Sequence, residues 1–103
     1  MVGVVSDDGT RAYKGRYPVI DVEERIHLVK GLQCVDIVLR QATTDPSPLL
    51  ERIRPDVYTH GSDWSRLREG HETIERLGIE YVTLPYTPGI SSTLLRDRVR
   101  VSA

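Results

Sequence analysis

Three hydroxyl side chains follow one another near the end of the chain, in the stretch LPYTPGISSTLLRDRVR. One such residue is enough to cap a helix start, and either Ser91 or Ser92 would serve. The backbone N–H groups behind a cap carry the positive end of the helix dipole and form a ready phosphate site. Gly89 would let the chain approach a ligand closely. Plain capping after a Pro-Gly turn explains the stretch about equally well, and the extra hydroxyls of Ser92 and Thr93 favour a bound anion.

A second stretch, YKGRYP, places Lys14 and Arg16 on either side of Gly15. Two cations around a glycine in a loop could clamp a polyphosphate through charge-assisted hydrogen bonds. Basic loop residues are more often simply solvated, so this stretch alone is weak support for a phosphate site.

A third stretch, RPDVYTHGSDW, ends in a loop that contains Asp63 and Trp64. At the carboxyl end of a strand these two side chains could offer hydrogen bonds and a flat surface to a base or a ribose. A lone tryptophan is more often part of the core, so we give that interpretation half the weight. His60 lies beside them, but nothing in the sequence pairs it with a nucleophile.

Composition restricts the classes of function. The chain has 103 residues, enough for one small domain, with 39% hydrophobic and 28% charged residues. Its 14 basic and 15 acidic residues give a net charge of −1, which argues against a nucleic-acid binder. Cys34 is the single cysteine, which excludes an internal disulfide and a cysteine-based zinc site. The apolar start, VGVV, is too short for a signal peptide or membrane span, so we expect a cytoplasmic protein without a membrane partner.

Alternating strands and helices must position these three stretches. Apolar runs predict strands over residues 2–5, 35–39, 56–59 and 80–84. Four helices are expected. The first starts at Asp21 as its N-cap, and the second starts with Asp45 as N-cap and Pro46 as first helical residue. The third covers about 66–77 and ends at Gly78, and the fourth starts at Ser91. Residues 9–20 read as a loop.

Apolar rather than alternating strands between helices indicate a parallel sheet of βαβ units, buried on both faces and covered by helices on both faces. Ligands of such sheets bind beyond the carboxyl ends of the strands. The loops at 6–20, 60–65 and 85–92 all follow strands, so the three stretches should meet at one edge.

Three stretches together resemble, in order and spacing, the HxGH nucleotidyltransferases, a cytidylyltransferase-like family with a Rossmann-like fold. They are YKGRYPVIDVEERIHLVKGLQCVD, RPDVYTHGSDW and LPYTPGISSTLLRDR. Within this family, the chain is similar to glycerol-3-phosphate cytidylyltransferase and to the nucleotidyltransferase domain of ADP-heptose synthase. The resemblance runs along nearly the whole chain as a single domain. Its most specific parts are the G-x-D-W loop and the I-S-S-T helix start.

The resemblance implies transfer of a nucleotidyl group from CTP or ATP to a phosphorylated small-molecule acceptor, with Mg²⁺ and release of pyrophosphate. Lys14 would neutralise phosphate charge, and Arg25 would contact the acceptor or brace the loop; these are the two catalytic candidates. The nucleotide-binding candidates surround the nucleoside or hold the β- and γ-phosphates: Gly61, Ser62, Asp63, Trp64, Tyr86, Thr87, Gly89, Ile90, Ser91, Ser92 and Thr93.

Two departures from the family pattern matter. Tyr86 stands where cytidylyltransferases often carry an arginine, which leaves the choice of nucleotide open. The motif H-x-G-H, whose histidines stabilise the transferring phosphate in the family, occurs nowhere in the sequence. The strand that precedes this motif in the family, the middle strand of the order 3-2-1-4-5, has no counterpart here.

We therefore expect a truncated four-stranded sheet, paired as first with second strand and third with fourth. The first and third strands would pair directly, or a missing N-terminal segment or a second chain in a homodimer would pair with them. The transferase activity should be impaired. The alternative is a non-catalytic nucleotide-binding or interaction module derived from the family.

Overall fold

The computed structural model describes residues 1–62 and 69–102. Strands and helices alternate along most of the chain, which confirms the predicted α/β class. The elements, in chain order, are β1 (Val2–Val5), α1 (Asp7–Lys14), α2 (Val22–Lys30), β2 (Val38–Gln41), α3 (Ser47–Ile53), β3 (Val57–Gly61), α4 (His71–Arg76), β4 (Glu80–Leu84) and α5 (Ser92–Ser102). None of the helices in the described ranges is long and apolar enough to cross a membrane.

The strands form two separate two-stranded parallel sheets, β1 with β2 and β3 with β4. Val5 lies opposite Gln41 at the end of the first pair, and Gly61 lies opposite Leu84 at the end of the second. Both predicted pairs are thus confirmed. The single four-stranded sheet and the direct pairing of β1 with β3 are wrong for the described residues, because cavities lined by both strands separate these two edges.

Two strand boundaries differ from the prediction. β2 begins three residues late, at Val38, because the chain still turns before it: the N–H of Val35 donates to the carbonyl of Leu32 at 3.0 Å. β3 begins at Val57 and extends to Gly61. The bounds of β1 and β4 are as predicted.

The core lies beside β3 and β4 rather than within the strands. Leu50, Ile74 and Ile79 form its buried cluster, with Tyr58 and Tyr81 partly buried against it. Among the described strand residues only Val4 is buried. The expectation that the strands are buried on both faces is therefore wrong. Two strands in a sheet are too few to be enclosed, and each keeps one exposed edge.

Helix α1 occupies residues predicted to be a loop. Ser6 caps it, since its Oγ accepts from the N–H of Gly9 at 3.0 Å, and Gly15 ends it with a φ of 78°. Gly9 also allows a close approach between elements, because a Cβ there would lie 2.3 Å from the carbonyl oxygen of Ala42. A glycine that reads as a loop residue is thus a packing residue.

The remaining helix starts follow the sequence signals closely. The carboxylate of Asp21 accepts from the N–H of Glu24 at 2.9 Å, as expected of an N-cap. α3 begins one residue later than expected: Asp45 Oδ1 accepts from the N–H of Ser47 at 3.0 Å and so stabilises the turn before the helix. α4 ends just before Gly78, whereas part of the predicted 66–77 helix lies outside the described residues.

Candidate functional site

The start of α5 is the most defined part of the candidate site. Ser91 Oγ accepts from the N–H of Leu94, and the Ser91 carbonyl accepts from the N–H of Leu95, both at 3.1 Å. Ser91, rather than Ser92, is therefore the cap. The first backbone N–H groups of a helix have no acceptor within it. Those of Ser92 and Thr93 therefore need a partner from outside, such as water or an anion.

The turn before α5 is open to solvent. Tyr86, Thr87, Gly89 and Ile90 are all exposed. Gly89 has a φ of 81°, and no atom lies within 4 Å of the position that a Cβ would take. The backbone conformation therefore requires a glycine at position 89. No atom of the described residues makes the close approach to Gly89 that the sequence suggested for a ligand. The four residues are accessible to a ligand.

The ends of β3 and β4 bring two candidate loops together. The N–H of Ser62 donates to the carbonyl of Leu84 at 2.8 Å, directly beyond the pairing of Gly61 with Leu84. The loop that follows β3 and the turn that follows β4 therefore start side by side, as predicted for parallel strands. Asp63 and Trp64 lie outside the described residues, so their positions stay a prediction.

The two catalytic candidates differ in their surroundings. Lys14 is the last residue of α1; it is exposed, and its Nζ lies 5.6 Å from the centroid of the Tyr13 ring. The guanidinium of Arg25 makes two hydrogen bonds. Its Nη2 donates to Asp7 Oδ1 at a distance of 2.8 Å, and its Nε donates to the Ile20 carbonyl oxygen at 3.0 Å. These are the contacts of a residue that braces the segment between α1 and α2. A contact of Arg25 with an acceptor remains a prediction.

A small polar network on α1 was missed from the sequence. Arg11 Nη1 donates to the hydroxyl of Tyr17 at 3.1 Å, and this hydroxyl donates to Asp8 Oδ1 at 3.3 Å. It holds Tyr17, which lies beyond the end of α1, against the helix. The available signal was the spacing of Asp8 and Arg11, three residues apart, which a helix brings onto one face.

A cavity of about 400 Å³ connects α1 with β3. Its lining includes Val5, Tyr13 and His60. Tyr13 belongs to YKGRYP and His60 to RPDVYTHGSDW, so these two stretches meet at this cavity. The pairing of β3 with β4 joins RPDVYTHGSDW to LPYTPGISSTLLRDRVR. Ser91 is not among the described lining residues. Strand β3 therefore adjoins both of the other two stretches, which do not meet each other at this cavity in the described part of the chain.

Tyr58 also lines this cavity, next to Tyr81, with the two ring centroids 5.5 Å apart. Burial raises the pKa of the Tyr58 hydroxyl, and the nearby Tyr81, Asp45 and Glu69 raise it further. Near neutral pH Tyr58 is consequently a neutral phenol, able to donate a hydrogen bond but not to act as a base.

The acidic residues near the site do not form a metal cage. In residues 1–62 and 69–102 no three His, Cys, Asp or Glu side chains are grouped so that they could hold a metal ion. Asp7 is bound by Arg25, and Asp8 by Tyr17. Mg²⁺ at nucleotide sites is held by one or two carboxylates together with substrate phosphates and water. The described residues therefore form no metal cage of their own, and a magnesium ion here would depend on substrate phosphates and water for most of its ligands.

The family model of the cytidylyltransferase-like proteins matches residues 1–98. The chain belongs to the cytidylyltransferase-like family. It is 35% identical over 102 residues to the bifunctional protein HldE of Alcanivorax borkumensis and to that of Bradyrhizobium sp. strain ORS 278. Each alignment covers 97% of this chain and 21% of the relative.

The bifunctional protein HldE of Geotalea uraniireducens is 31% identical over 105 residues, covering 100% of this chain and 21% of the relative. The chain spans about a fifth of the length of the curated relatives it matches. The family match confirms the resemblance carried by the three stretches.

Proposed function

We propose that this cytidylyltransferase-like chain holds the nucleotide site of a nucleotidyltransferase that uses CTP or ATP and a phosphorylated small-molecule acceptor. The observation that carries the proposal is the start of α5. There, Ser91 satisfies the cap, while the backbone and hydroxyls of Ser92 and Thr93 are left exposed at the positive end of the helix dipole. Membership of the family supports a triphosphate as the anion.

The two serines and the threonine at the start of α5 have different proposed roles. Ser91 stabilises the helix, and Ser92 and Thr93 bind the β- and γ-phosphates. Arg96 supports this arrangement, because its Nη2 lies 3.5 Å from the hydroxyl of Thr93, within one turn of the proposed phosphate position. Gly61 and Ser62, together with Asp63 and Trp64, would surround the nucleoside.

The other end of the site belongs to α1. The exposed ammonium group of Lys14 would neutralise charge on the triphosphate or on the acceptor. Arg25 would hold the loop that follows Lys14 through its bonds to Asp7 and Ile20. Tyr86, Thr87 and Ile90 would cover the nucleotide from the turn before α5.

In the proposed reaction an oxygen of the acceptor phosphate attacks the α-phosphorus of the nucleotide. The bond from the α-phosphorus to the bridging oxygen breaks, and its electron pair leaves with pyrophosphate. No covalent enzyme intermediate is needed, so the protein contributes positioning and charge stabilisation. Mg²⁺ would arrive with the triphosphate, as part of the substrate.

Activity of the 103 residues alone should be low. They contain no H-x-G-H motif, and each preorganised donor to a transition state contributes about 3 kcal/mol. The alternative function, a nucleotide-binding module that performs no transfer, is favoured by the same observation. Pyrophosphate release separates the two: binding of CTP or ATP without release supports the module, and release at an ordinary enzymatic rate eliminates it.

The phosphate site is tested by comparing two serine substitutions on α5. Titration of the purified chain with CTP and with ATP is followed by calorimetry and by the fluorescence of its single tryptophan. Ser92→Ala removes a proposed hydrogen bond to a charged phosphate and should weaken binding about tenfold. Ser102→Ala, at the other end of the same helix, should leave the dissociation constant unchanged. Equal affinities for both variants and the parent, or no binding at millimolar nucleotide, would contradict the proposal.

A further inference from the structure

The last residue of α1 is a cation that contacts an aromatic ring. The Nζ of Lys14 lies over the ring of Tyr13, 5.6 Å from its centroid. A cation within about 6 Å of the face of an aromatic ring is attracted by the negative charge of the π system. Side chains of successive residues on a helix do not face each other. The Lys14 side chain therefore has to turn toward Tyr13 to make this contact.

The contact leaves the charge of Lys14 unpaired. The residues that the structure describes offer its ammonium group no ion pair, whereas Arg25 is paired with Asp7 at 2.8 Å. A carboxylate partner would neutralise the positive charge and occupy hydrogen-bond donors. An aromatic ring does neither, so the three N–H donors of the ammonium group stay available to a bound anion.

Tyr13 is the better fixed partner of the two. The N–H of Gly15 donates to the carbonyl of Arg11 at 2.8 Å and closes the last turn of α1 around Tyr13 and Lys14. Tyr13 is half-buried and lines the cavity of about 400 Å³ between α1 and β3, whereas Lys14 is exposed. The ring is therefore a support for the ammonium group, rather than the reverse.

The position of the ring determines where Lys14 is held. Tyr13 lines the cavity together with Val5, at the end of β1, and His60, near the end of β3. Gly61 follows His60 and begins the loop proposed to surround the nucleoside. Ligands of parallel sheets bind beyond the carboxyl ends of the strands. Tyr13 therefore keeps the ammonium group at the edge where the nucleotide is proposed to bind.

We propose that Tyr13 is a positioning residue, whose ring holds the ammonium group of Lys14 in place for the phosphates of a nucleoside triphosphate. This inference rests on the proposed function, in which Lys14 neutralises phosphate charge. A lysine side chain is flexible, and ordering it on binding costs free energy. The ring lowers that cost, because it restrains the side chain before the nucleotide arrives. Tyr13 acts through Lys14 and contacts no reacting atom.

The first test compares two substitutions of Tyr13. Tyr13→Leu keeps an apolar side chain at the cavity but removes the ring. It should weaken the binding of CTP and of ATP about fivefold, which corresponds to about 1 kcal/mol at 25 °C. Tyr13→Phe keeps the ring, so its dissociation constants should stay within about twofold of those of the parent. Calorimetry measures these constants, and circular dichroism checks that each variant folds.

A merely structural role of Tyr13 would also weaken binding, so the leucine substitution is repeated in a chain that carries Lys14→Met. This second change removes the charge and keeps a long side chain, and by itself it should weaken nucleotide binding about tenfold. In its presence Tyr13→Leu should have no further effect, because there is no cation left to hold. An equal loss with and without Lys14 would show that Tyr13 acts through the fold and would overturn the proposal.

A second measurement detects the contact without any nucleotide. The ring current of Tyr13 should shift the NMR signals of the ε-methylene group of Lys14 upfield. Lys30, the only other lysine of the chain, is exposed and provides the matched reference signal. The Lys14 signal should keep its shift in Tyr13→Phe and move to the position of the Lys30 signal in Tyr13→Leu. Coincident signals of the two lysines in the folded parent would overturn the proposal.

The two measurements separate this inference from the proposed function. If the parent binds neither CTP nor ATP at millimolar concentration, the proposed function fails, and the inference fails with it even when the Lys14 signal is shifted. If the parent binds nucleotide but Tyr13→Leu binds it equally well, the inference alone is overturned. Nucleotide binding that Lys14→Met leaves unchanged overturns it too. A loss in Tyr13→Leu that Tyr13→Phe avoids, and that requires Lys14, supports both.

Discussion

Helices α1 and α5 begin in the same way and end up in different surroundings. Each follows the carboxyl end of a parallel strand and starts at a serine cap: Ser6 Oγ accepts from the N–H of Gly9 at 3.0 Å, and Ser91 Oγ accepts from that of Leu94 at 3.1 Å. α1 buries Gly9 and Thr10, whereas α5 has no buried residue.

The difference lies in the bonds that leave each helix. The hydroxyl of Ser6 donates to the carbonyl of Ala42 at 2.7 Å, and Asp7 accepts from Arg25 of α2. The side-chain hydrogen bonds of α5, among the described residues, stay within the helix and its cap. A cap therefore fixes where a helix starts, and contacts with other elements decide how firmly that start is held. The side chains of Ser6 and Asp7 bond to other elements, whereas within residues 1–62 and 69–102 the start of α5 has only its own cap.

The largest effect in this comparison is expected at the close contact of α1. In Gly9→Val the added Cβ would lie 2.3 Å from the carbonyl oxygen of Ala42 and 2.8 Å from Val5 Cγ1. Because the backbone at Ala42 and the half-buried Val5 side chain must move to accept it, the free energy of unfolding should fall by about 3 kcal/mol. Urea denaturation followed by circular dichroism measures this change.

Gly15→Ala is the control for that substitution, at the end of the same helix. Gly15 has a φ of 78°, but no atom lies within 4 Å of an added Cβ. Only the cost of a left-handed conformation remains, about 1 kcal/mol. If Gly9→Val lost no more than Gly15→Ala, α1 would not be packed as closely as the comparison requires.

Local signals in the sequence predicted the parts of the fold that local physics decides. The bounds of β1 and β4 and the caps at Asp21 and Ser91 were all found, whereas the two strand pairs followed from the strand order that the resemblance implies. Helix α1 was not, because Gly9 reads as a loop residue, and the reason for it is a carbonyl far along the chain, at Ala42. The direct pairing of β1 with β3 was wrong because apolar strand patterns predict strands but not which free edges meet.

The candidate site shows the same division. The predicted cap at Ser91 and the neighbouring starts of the loops after β3 and β4 follow from local patterns and from parallel pairing. The bond between Arg25 and Asp7 joins α2 to α1, and no spacing rule connects residues on two different helices. The role of Trp64, which lies outside the described residues, still rests on the resemblance alone.

A second prediction compares the two caps directly. Ser6→Ala removes both the cap of α1 and its bond to Ala42, so the free energy of unfolding should fall by about 2 kcal/mol. Ser91→Ala removes a cap from a helix without buried residues, so the global change should stay below about 0.5 kcal/mol. Hydrogen exchange at Leu94 should nevertheless become faster in Ser91→Ala, because its N–H loses its acceptor. Equal global losses would mean that α5 is packed as firmly as α1.

The smallest effect concerns the arginines that contact the first turns of the two helices. Arg25 is one-quarter exposed, at 24%, and bonds to Asp7 and to Ile20. Arg25→Ala should lower the free energy of unfolding by about 1 kcal/mol, since the pair is partly screened by water. Arg96 is exposed and only reaches Thr93 at 3.5 Å, so Arg96→Ala should change it by less than about 0.5 kcal/mol. Arg25→Lys keeps the charge but cannot bond to Asp7 and Ile20 at once, so its free energy of unfolding should lie between those of Arg25→Ala and the parent. A value equal to the parent's would show that charge alone, rather than the bracing of the loop, ties α1 to α2.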